Sequence, residues 1–392
     1  MRILYHHRTR AADAQGVHIA EMISAFRSLG HIVEMAALVT PPPAQQQQRS
    51  SAAKPFWQRC LQSVPCLYEL VQLGYNAVGF WLLVRHVLRF RPHFIYERYS
   101  LFNFSGVLAA RLFRIPLLLE VNSPLADESA GEGLLRLYRF GLWSERVICN
   151  SATTVVAVTG VLKDILVRNG IQQRKILVLP NGVSPSQFAP IPPDPALRRS
   201  LALDGRRVIG FVGWFRPWHG LELLIEAFHS SRLHEEGVSL LLVGDGPAMP
   251  SLHEAVSRFQ LQQAVVFTGA VPHQQIPPCM ALFDCAVQPA ANPYCCPMKI
   301  IEYLALGKPV IAPAQPNIEE LVDDGVEAIL FRPGDPASLA AALQRLFHTD
   351  GLFGRLRENA ASSIQRRGYL WSRNAERVIE ALFPNSCQSP PR

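Results

Sequence analysis

Short apolar runs alternate with amphipathic stretches along almost the whole chain. In the first half, RILYHH, HIVEMAALV, FIYER, PLLLEV, TVVAV and KILVLP read as strands. In the second half, RVIGFVGW, VSLLLVGDG, AVVFTG, CAVQP, KPVIAP and EAILFRP do the same. Several of these runs are apolar nearly throughout, as expected of strands covered by helices on both faces. The segments between them place apolar residues at helical spacing, as in 16–30, where Val17, Ile19, Ala20, Ile23, Phe26 and Leu29 fall near one face. This alternation predicts an α/β protein with helices layered on parallel sheets.

The alternation breaks at APIPPDPALRR, residues 189–199, whose prolines predict a stiff linker. The expected organisation is an N-terminal Rossmann-like domain over 1–190, a C-terminal one over 191–366, and a helix and tail over 367–392 that pack back on the first. Both domains read as doubly wound, facing each other across a cleft. Residues 40–55 are low in complexity and are expected to form a mobile loop. Residues 56–92 follow, with tryptophan, phenylalanine and the arginines Arg59, Arg85, Arg89 and Arg91 interleaved. The longest charge-free apolar stretch there, Val71 to Val84, is 14 residues, too short to span a bilayer. It fits a basic amphipathic helix lying on an anionic membrane, and equally an ordinary docking helix with a solvated arginine face.

With 49% hydrophobic and 18% charged residues, the 392-residue chain is globular rather than disordered. Its net charge of +7 is unevenly spread: residues 1–190 carry 20 Lys/Arg against 11 Asp/Glu, the remainder 18 against 20. A basic half suggests an anionic partner, whether nucleic acid, an acidic membrane surface or a phosphorylated substrate. No nucleic-acid-binding motif accompanies the charge, so nucleic acid is not expected. The eight cysteines form neither a CxxC pair nor a zinc-ligand spacing, and no secretory signal is apparent. These features predict free thiols and a cytoplasmic location.

Candidate chemistry lies in loops between strands and helices. DAQGVHIAEM contains Gly16, which permits close backbone approach to a ligand. VGWFRPWHG puts Arg216 and His219 ahead of a helix, and LLVGDGP ends a strand with a tight turn at Gly244. PYCCPMKIIEYLALGKPVIAP puts Lys299 and Glu302 one turn apart on a helix that starts near Met298. A phosphate at the helix start explains that pair, and so does a structural ion pair. The absence of GxGxxG argues against hydride transfer. In YERYS, Glu97, Arg98 and Tyr99 end a strand and are candidates for acceptor binding or a salt-bridged strand end. His6 and His7 lack metal-ligand spacing, Asn181 and Gly182 read as a tight turn, and His273 reads as a surface residue at a helix start.

Taken in order, ILYHHRTRAADAQGVHIAEM, VLPNGVSPSQF, VGWFRPWHGLELLIEAF, LLVGDGP, VVFTGAVP, MKIIEYLALGKPVIA and EAILFRPGD resemble the retaining GT-B glycosyltransferases of glycosyltransferase family 4 over nearly the whole chain. The resemblance implies a GT-B fold and transfer of a sugar from a nucleotide-diphosphate sugar with retention and without a metal or other cofactor. It implies a glycan or lipid-linked acceptor in cell-envelope or exopolysaccharide synthesis, with a peripheral site on the inner face of the plasma membrane. It assigns Glu302 to the donor ribose hydroxyls and the amides near Met298, with Lys299, to the diphosphate. Arg216 and His219 join Lys299 in stabilising the departing group, and Gly16, Gly244 and Val271 complete the nucleotide-sugar site. Three places depart from the pattern: Tyr294 replaces the first of two glutamates eight residues apart, Trp214 and His219 stand where an arginine and a lysine usually follow the VG turn, and Asn122 replaces a sugar-contacting histidine. Asparagine can hydrogen-bond a sugar but cannot act as a base. An epimerase of the same fold and a non-catalytic nucleotide-sugar-binding scaffold are the alternatives.

Overall fold

The computed structural model describes residues 1–9, 14–37 and 67–384. They form two compact units. The first comprises the described residues up to Pro180 together with the helix Trp371–Leu382, and the second runs from Asn181 to Leu370. The chain thus enters the second unit upstream of residue 190. The proline-rich stretch lies inside that unit, where Pro195 opens a short helix, Pro195–Ser200, whose Asp194 cap accepts from the Ala196 amide at 2.8 Å.

The first unit is built on β1 (Arg2–His7), β2 (Ile32–Ala37), β3 (Phe94–Arg98), β4 (Leu117–Val121), β5 (Thr154–Ala157) and β6 (Ile176–Val178). They lie in the order β2-β1-β3-β4-β5-β6, with every pairing parallel. The second unit holds β7 (Arg207–Val212), β8 (Val238–Val243), β9 (Val265–Phe267), β10 (Cys285–Val287), β11 (Val310–Pro313) and β12 (Ala328–Phe331). Their order is β12-β11-β10-β7-β8-β9, again all parallel. Each run expected to be a strand contains one. β1 and β3 coincide with their runs, and several later runs, such as VSLLLVGDG and CAVQP, continue past the strand into the following loop.

Strand order decides where ligands can enter. In each sheet the chain winds outward in one direction and then the other, which leaves a crevice at the carboxyl ends of two neighbouring strands. In the second unit these are β7 and β10, and in the first β1 and β3.

The helix Ala14–Ser28 buries His18, Ile19, Met22, Ile23 and Phe26, with Phe26 packing edge-on against Phe94 and Tyr96. Ala20, expected on the buried face, is exposed, and Glu21 is buried instead. The helix is covered by the helix Trp371–Leu382 as well as by the sheet, and His18 meets Trp371 edge-to-face at 4.8 Å. A helix covered from two sides buries a wider arc than a single apolar stripe predicts. The helix Leu67–Phe90 packs beside Ser105–Phe113. Among the described residues no helix is long and apolar enough to cross a membrane. Residues 40–55 and 56–66, with Arg59, lie outside the described residues, as does the tail from 385.

Candidate functional site

In the second unit, three loops at the carboxyl edge of the sheet are tied together by their backbones. After β7, the Gly213 amide donates to the Val243 carbonyl at 3.0 Å and the Phe215 amide to the Asp245 carbonyl at 2.7 Å. Ala248 returns a bond to the Phe215 carbonyl at 3.0 Å. This contact requires glycine at two places: a Cβ on Gly244 would lie 2.0 Å from the Gly213 carbonyl oxygen, and one on Gly246 would lie 2.5 Å from the Phe215 backbone. After β9, Gly269 bridges Gly244, and Val271, partly buried, lies just beyond.

The fourth loop, 288–297, follows β10 and leads into the helix Met298–Ala305. Asn181 and Asn317 clamp it. The Asn181 side-chain amide donates to the Cys296 carbonyl at 2.7 Å and its backbone amide to the Cys296 sulfur at 3.2 Å. The Asn317 amide donates to the carbonyls of Asn292 and Cys295 at 3.0 and 2.7 Å. Asn181, expected only to make a turn, therefore fixes the loop that delivers the helix start. From below, the Val212 amide donates to the buried Tyr303 hydroxyl at 3.0 Å and locks the helix onto β7.

The helix start thus opens at the crevice between β7 and β10, with Met298 in its first turn and Lys299 and Glu302 three positions apart. Lys299 Nζ lies 4.5 Å from the centre of the Phe211 ring and 3.5 Å from His219 Nε2. Burial lowers its pKa to about 8, against the attraction of Glu302, which raises it. His219 Nδ1 accepts from the Arg216 amide at 3.5 Å. Burial first, then the nearby Lys299 and Arg216 charges, depress its pKa to about 3, so it is neutral at ordinary pH. Arg216 lies 5.0 Å over the exposed Trp218 ring. The structure therefore gathers Arg216, His219, Lys299, Glu302, Gly244 and Met298 at one edge of one sheet, facing a helix N-terminus suited to an anion. Tyr294 is partly exposed in the loop ahead of the helix, and His273 starts a 3-10 turn farther along.

The first unit has a different centre. Glu120, buried at the end of β4, accepts from Arg98 Nη1 at 2.8 Å and from the Tyr96 hydroxyl at 2.6 Å, and also from the Asn122 side-chain amide. His18 Nδ1 lies 3.6 Å from the same carboxylate. Burial alone would raise its pKa, but His18, Arg98, Tyr96 and Asn122 hold it below the usual value. Glu120 and His18 were missed in the sequence; a carboxylate inside the apolar run PLLLEV was the available signal. Gly16 lies in the first turn of the helix that carries His18.

The trio at the end of β3 separates. Glu97 turns to the opposite face, fully buried, with His6 Nδ1 at 2.5 Å from Oε2 and the Asn103 amide at 3.4 Å from Oε1. Tyr99 is also buried, and burial, then Glu145 and Cys149, push its hydroxyl pKa well up. Alternation along an extended strand gives this split, because consecutive side chains leave opposite faces. Only Arg98 joins Asn122 at the Glu120 centre. Among the described residues no group of three potential metal ligands occurs, and Cys149, Cys279, Cys285, Cys295 and Cys296 are free thiols.

Comparison with known proteins accounts for both units. Residues 14–182 match the glycosyl transferase 4-like domain, and residues 206–349 match glycosyl transferases group 1. The fold is similar to that of Anabaena HepE solved with UDP, with a TM-score of 0.72 and 20% identity over 97% of this chain and 99% of that one. It is also similar to sucrose-phosphate synthase from Thermosynechococcus elongatus, with a TM-score of 0.74 and 18% identity over 98% and 100% of the two chains. The chain is therefore a glycosyltransferase of the GT-B fold. Among curated relatives, alpha-D-kanosaminyltransferase of Streptomyces kanamyceticus is 25% identical over 66% of this chain and 68% of its own length. The 2-deoxystreptamine glucosyltransferase of the same organism is 27% identical over 62% and 64%.

Proposed function

We propose that the chain transfers a sugar from a nucleoside-diphosphate sugar to a hydroxyl acceptor, with retention of configuration and without a metal. The observation that carries this reading is the pairing of Lys299 and Glu302 on one helix whose start opens at the β7–β10 crevice. A diphosphate at the helix N-terminus would meet the Lys299 and Arg216 charges, and the ribose hydroxyls would donate to Glu302. Neutral His219 contributes a hydrogen bond rather than a charge. That HepE has been solved with UDP and with UDP-glucose on a similar fold supports a donor of this class.

The chemistry follows from where charge develops. The bond between the anomeric carbon and the β-phosphate oxygen breaks, and the departing diphosphate gains negative charge that Lys299, Arg216 and the helix-start amides stabilise. The acceptor oxygen bonds to the same face of the anomeric carbon and passes its proton to a phosphate oxygen of the leaving group. Asn122 supplies a polar contact to the sugar, held in place by Glu120. The acceptor is assigned to cell-envelope or exopolysaccharide synthesis, and Arg98 is its contact in the first unit.

Incubating the purified protein with a panel of radiolabelled nucleoside-diphosphate sugars and candidate glycan acceptors, in EDTA, tests this. A labelled glycoside formed at an undiminished rate in EDTA is expected. A free epimerised nucleotide sugar would make the protein an epimerase, and loss of transfer in EDTA restored by magnesium would refute the metal-free step. Binding without turnover would leave a scaffold.

A further inference from the structure

The face of the first unit that carries the helices Leu67–Phe90 and Ser105–Phe113 is built unlike the rest of the surface. Leu70, Val78, Trp81 and Leu88 recur at helical spacing on the first helix, and they are 62%, 56%, 70% and 62% exposed. On its neighbour, Leu108 and Leu112 are 48% and 60% exposed, one turn apart. Scattered exposed leucines need no explanation, but an apolar stripe continued across two packed helices does. These two helices contain a single acidic residue, Glu69, which is buried and accepts from the Arg136 amide at 3.0 Å.

The basic residues of the same face gather at one end. Both helices return the chain to the start of the next strand, so Arg85, Arg89 and Arg91 and, on the second helix, Arg111 and Arg114 lie at the amino edge of the sheet. All five are exposed, and none makes an ion pair among the described residues. The site chemistry lies at the carboxyl edge, so these arginines have no role in it. Between the end of Ser105–Phe113 and the starts of β4 and β5 is an open recess of about 330 Å³, with Arg111, Arg114, Ser151 and Thr153 on its wall. Arg111 Nη2 donates to Ser151 Oγ at 2.9 Å. Nearby Lys175 has its pKa lowered by burial, then by Arg174 and Arg111, as expected of a local excess of positive charge.

We propose that this face rests on an anionic lipid surface, with the leucine and tryptophan stripe in the headgroup boundary and the Arg111–Arg114 recess holding a lipid phosphate. An apolar stripe with an uncompensated basic border fits that partner: the first contribution is area removed from water, the second attraction to anionic headgroups. A second copy of the chain would set the same arginines against one another and is disfavoured by that repulsion.

Flotation with vesicles of phosphatidylcholine containing phosphatidylglycerol, against phosphatidylcholine alone, decides the matter. Binding to the anionic vesicles only is expected, weakened by sodium chloride. Arg111→Gln with Arg114→Gln should weaken it roughly five-fold per charge, the equivalent of about 1 kcal/mol each. Trp81→Ser should weaken it at low and high salt alike. Circular dichroism and nucleotide binding of both variants should be unchanged, so loss of lipid binding is distinguishable from loss of the fold or of the proposed transferase site. Equal binding to both vesicles, or none to either, overturns the proposal. A concentration-dependent dimer abolished by Trp81→Ser would overturn it in favour of a second copy.

Discussion

The two units place charge at the carboxyl ends of their sheets in opposite ways. In the first, Glu120 is enclosed by Arg98, His18, Tyr96 and Asn122, so charge is matched inside the protein. In the second, Lys299 and Arg216 are gathered around a histidine that they help to keep neutral. Burial is the first cause of His219's neutrality, and the two nearby positive charges add to it. A closed network chiefly fixes a shape, whereas an open excess of one sign supplies binding energy to whatever anion arrives. On the proposed reading, donor-phosphate binding belongs to the second unit, and the network in the first is a structural support.

Removing one partner should separate these roles. Glu120→Ala leaves Arg98 buried beside His18 without its carboxylate. It should cost about 3–5 kcal/mol of stability, read by chemical denaturation of the first unit. A loss under 1 kcal/mol would mean that the network is not closed. Lys299→Ala should do the reverse, leaving the denaturation midpoint nearly unchanged while donor affinity falls by about 1.5–3 kcal/mol in calorimetry, the range for a hydrogen bond to a charged group. Glu302→Gln should weaken donor binding by about 1–3 kcal/mol, because an amide is a poorer acceptor for two ribose hydroxyls. Unchanged affinity would return Glu302 to a structural pairing.

A pH dependence with opposite signs for two observables sharpens the assignment of Lys299. Lys299 titrates near 8 in the fold against 10.5 as its ordinary value. Between those values the unfolded chain holds the proton that the folded chain has released, so the Lys299 contribution to stability rises with pH across that window. Affinity for a diphosphate should fall as pH rises through 8, because the charge that meets it is lost. The difference between native and Lys299→Ala protein isolates both trends, and parallel profiles would remove Lys299 from the site.

The sheets were legible because strands covered by helices are written largely as short apolar runs between helical stretches, and each of the twelve runs contains a strand. The helix that presents Lys299 and Glu302 was legible because both residues lie on one local turn. Glu120 and His18 were not, because their meaning comes from strand order, which brings the ends of β3 and β4 against the helix after β1. Glu97, Arg98 and Tyr99 form one motif on paper but face different surroundings in the fold, since alternation turns Glu97 and Arg98 to opposite faces and Tyr99 lies beyond the strand end beside Glu145 and Cys149. The clamp from Asn181 to Cys296 depends on packing between segments far apart in sequence, and no local signal announces it.

Titration of a nucleoside diphosphate into the protein by calorimetry at pH 7 in EDTA, with native, Lys299→Ala and Arg98→Gln proteins side by side, tests the central assignment most directly. The account predicts one saturable site in the native protein, binding weakened at least ten-fold by Lys299→Ala, and binding within about two-fold of native for Arg98→Gln. Equal affinity in native and Lys299→Ala proteins, or a greater loss with Arg98→Gln, would contradict it.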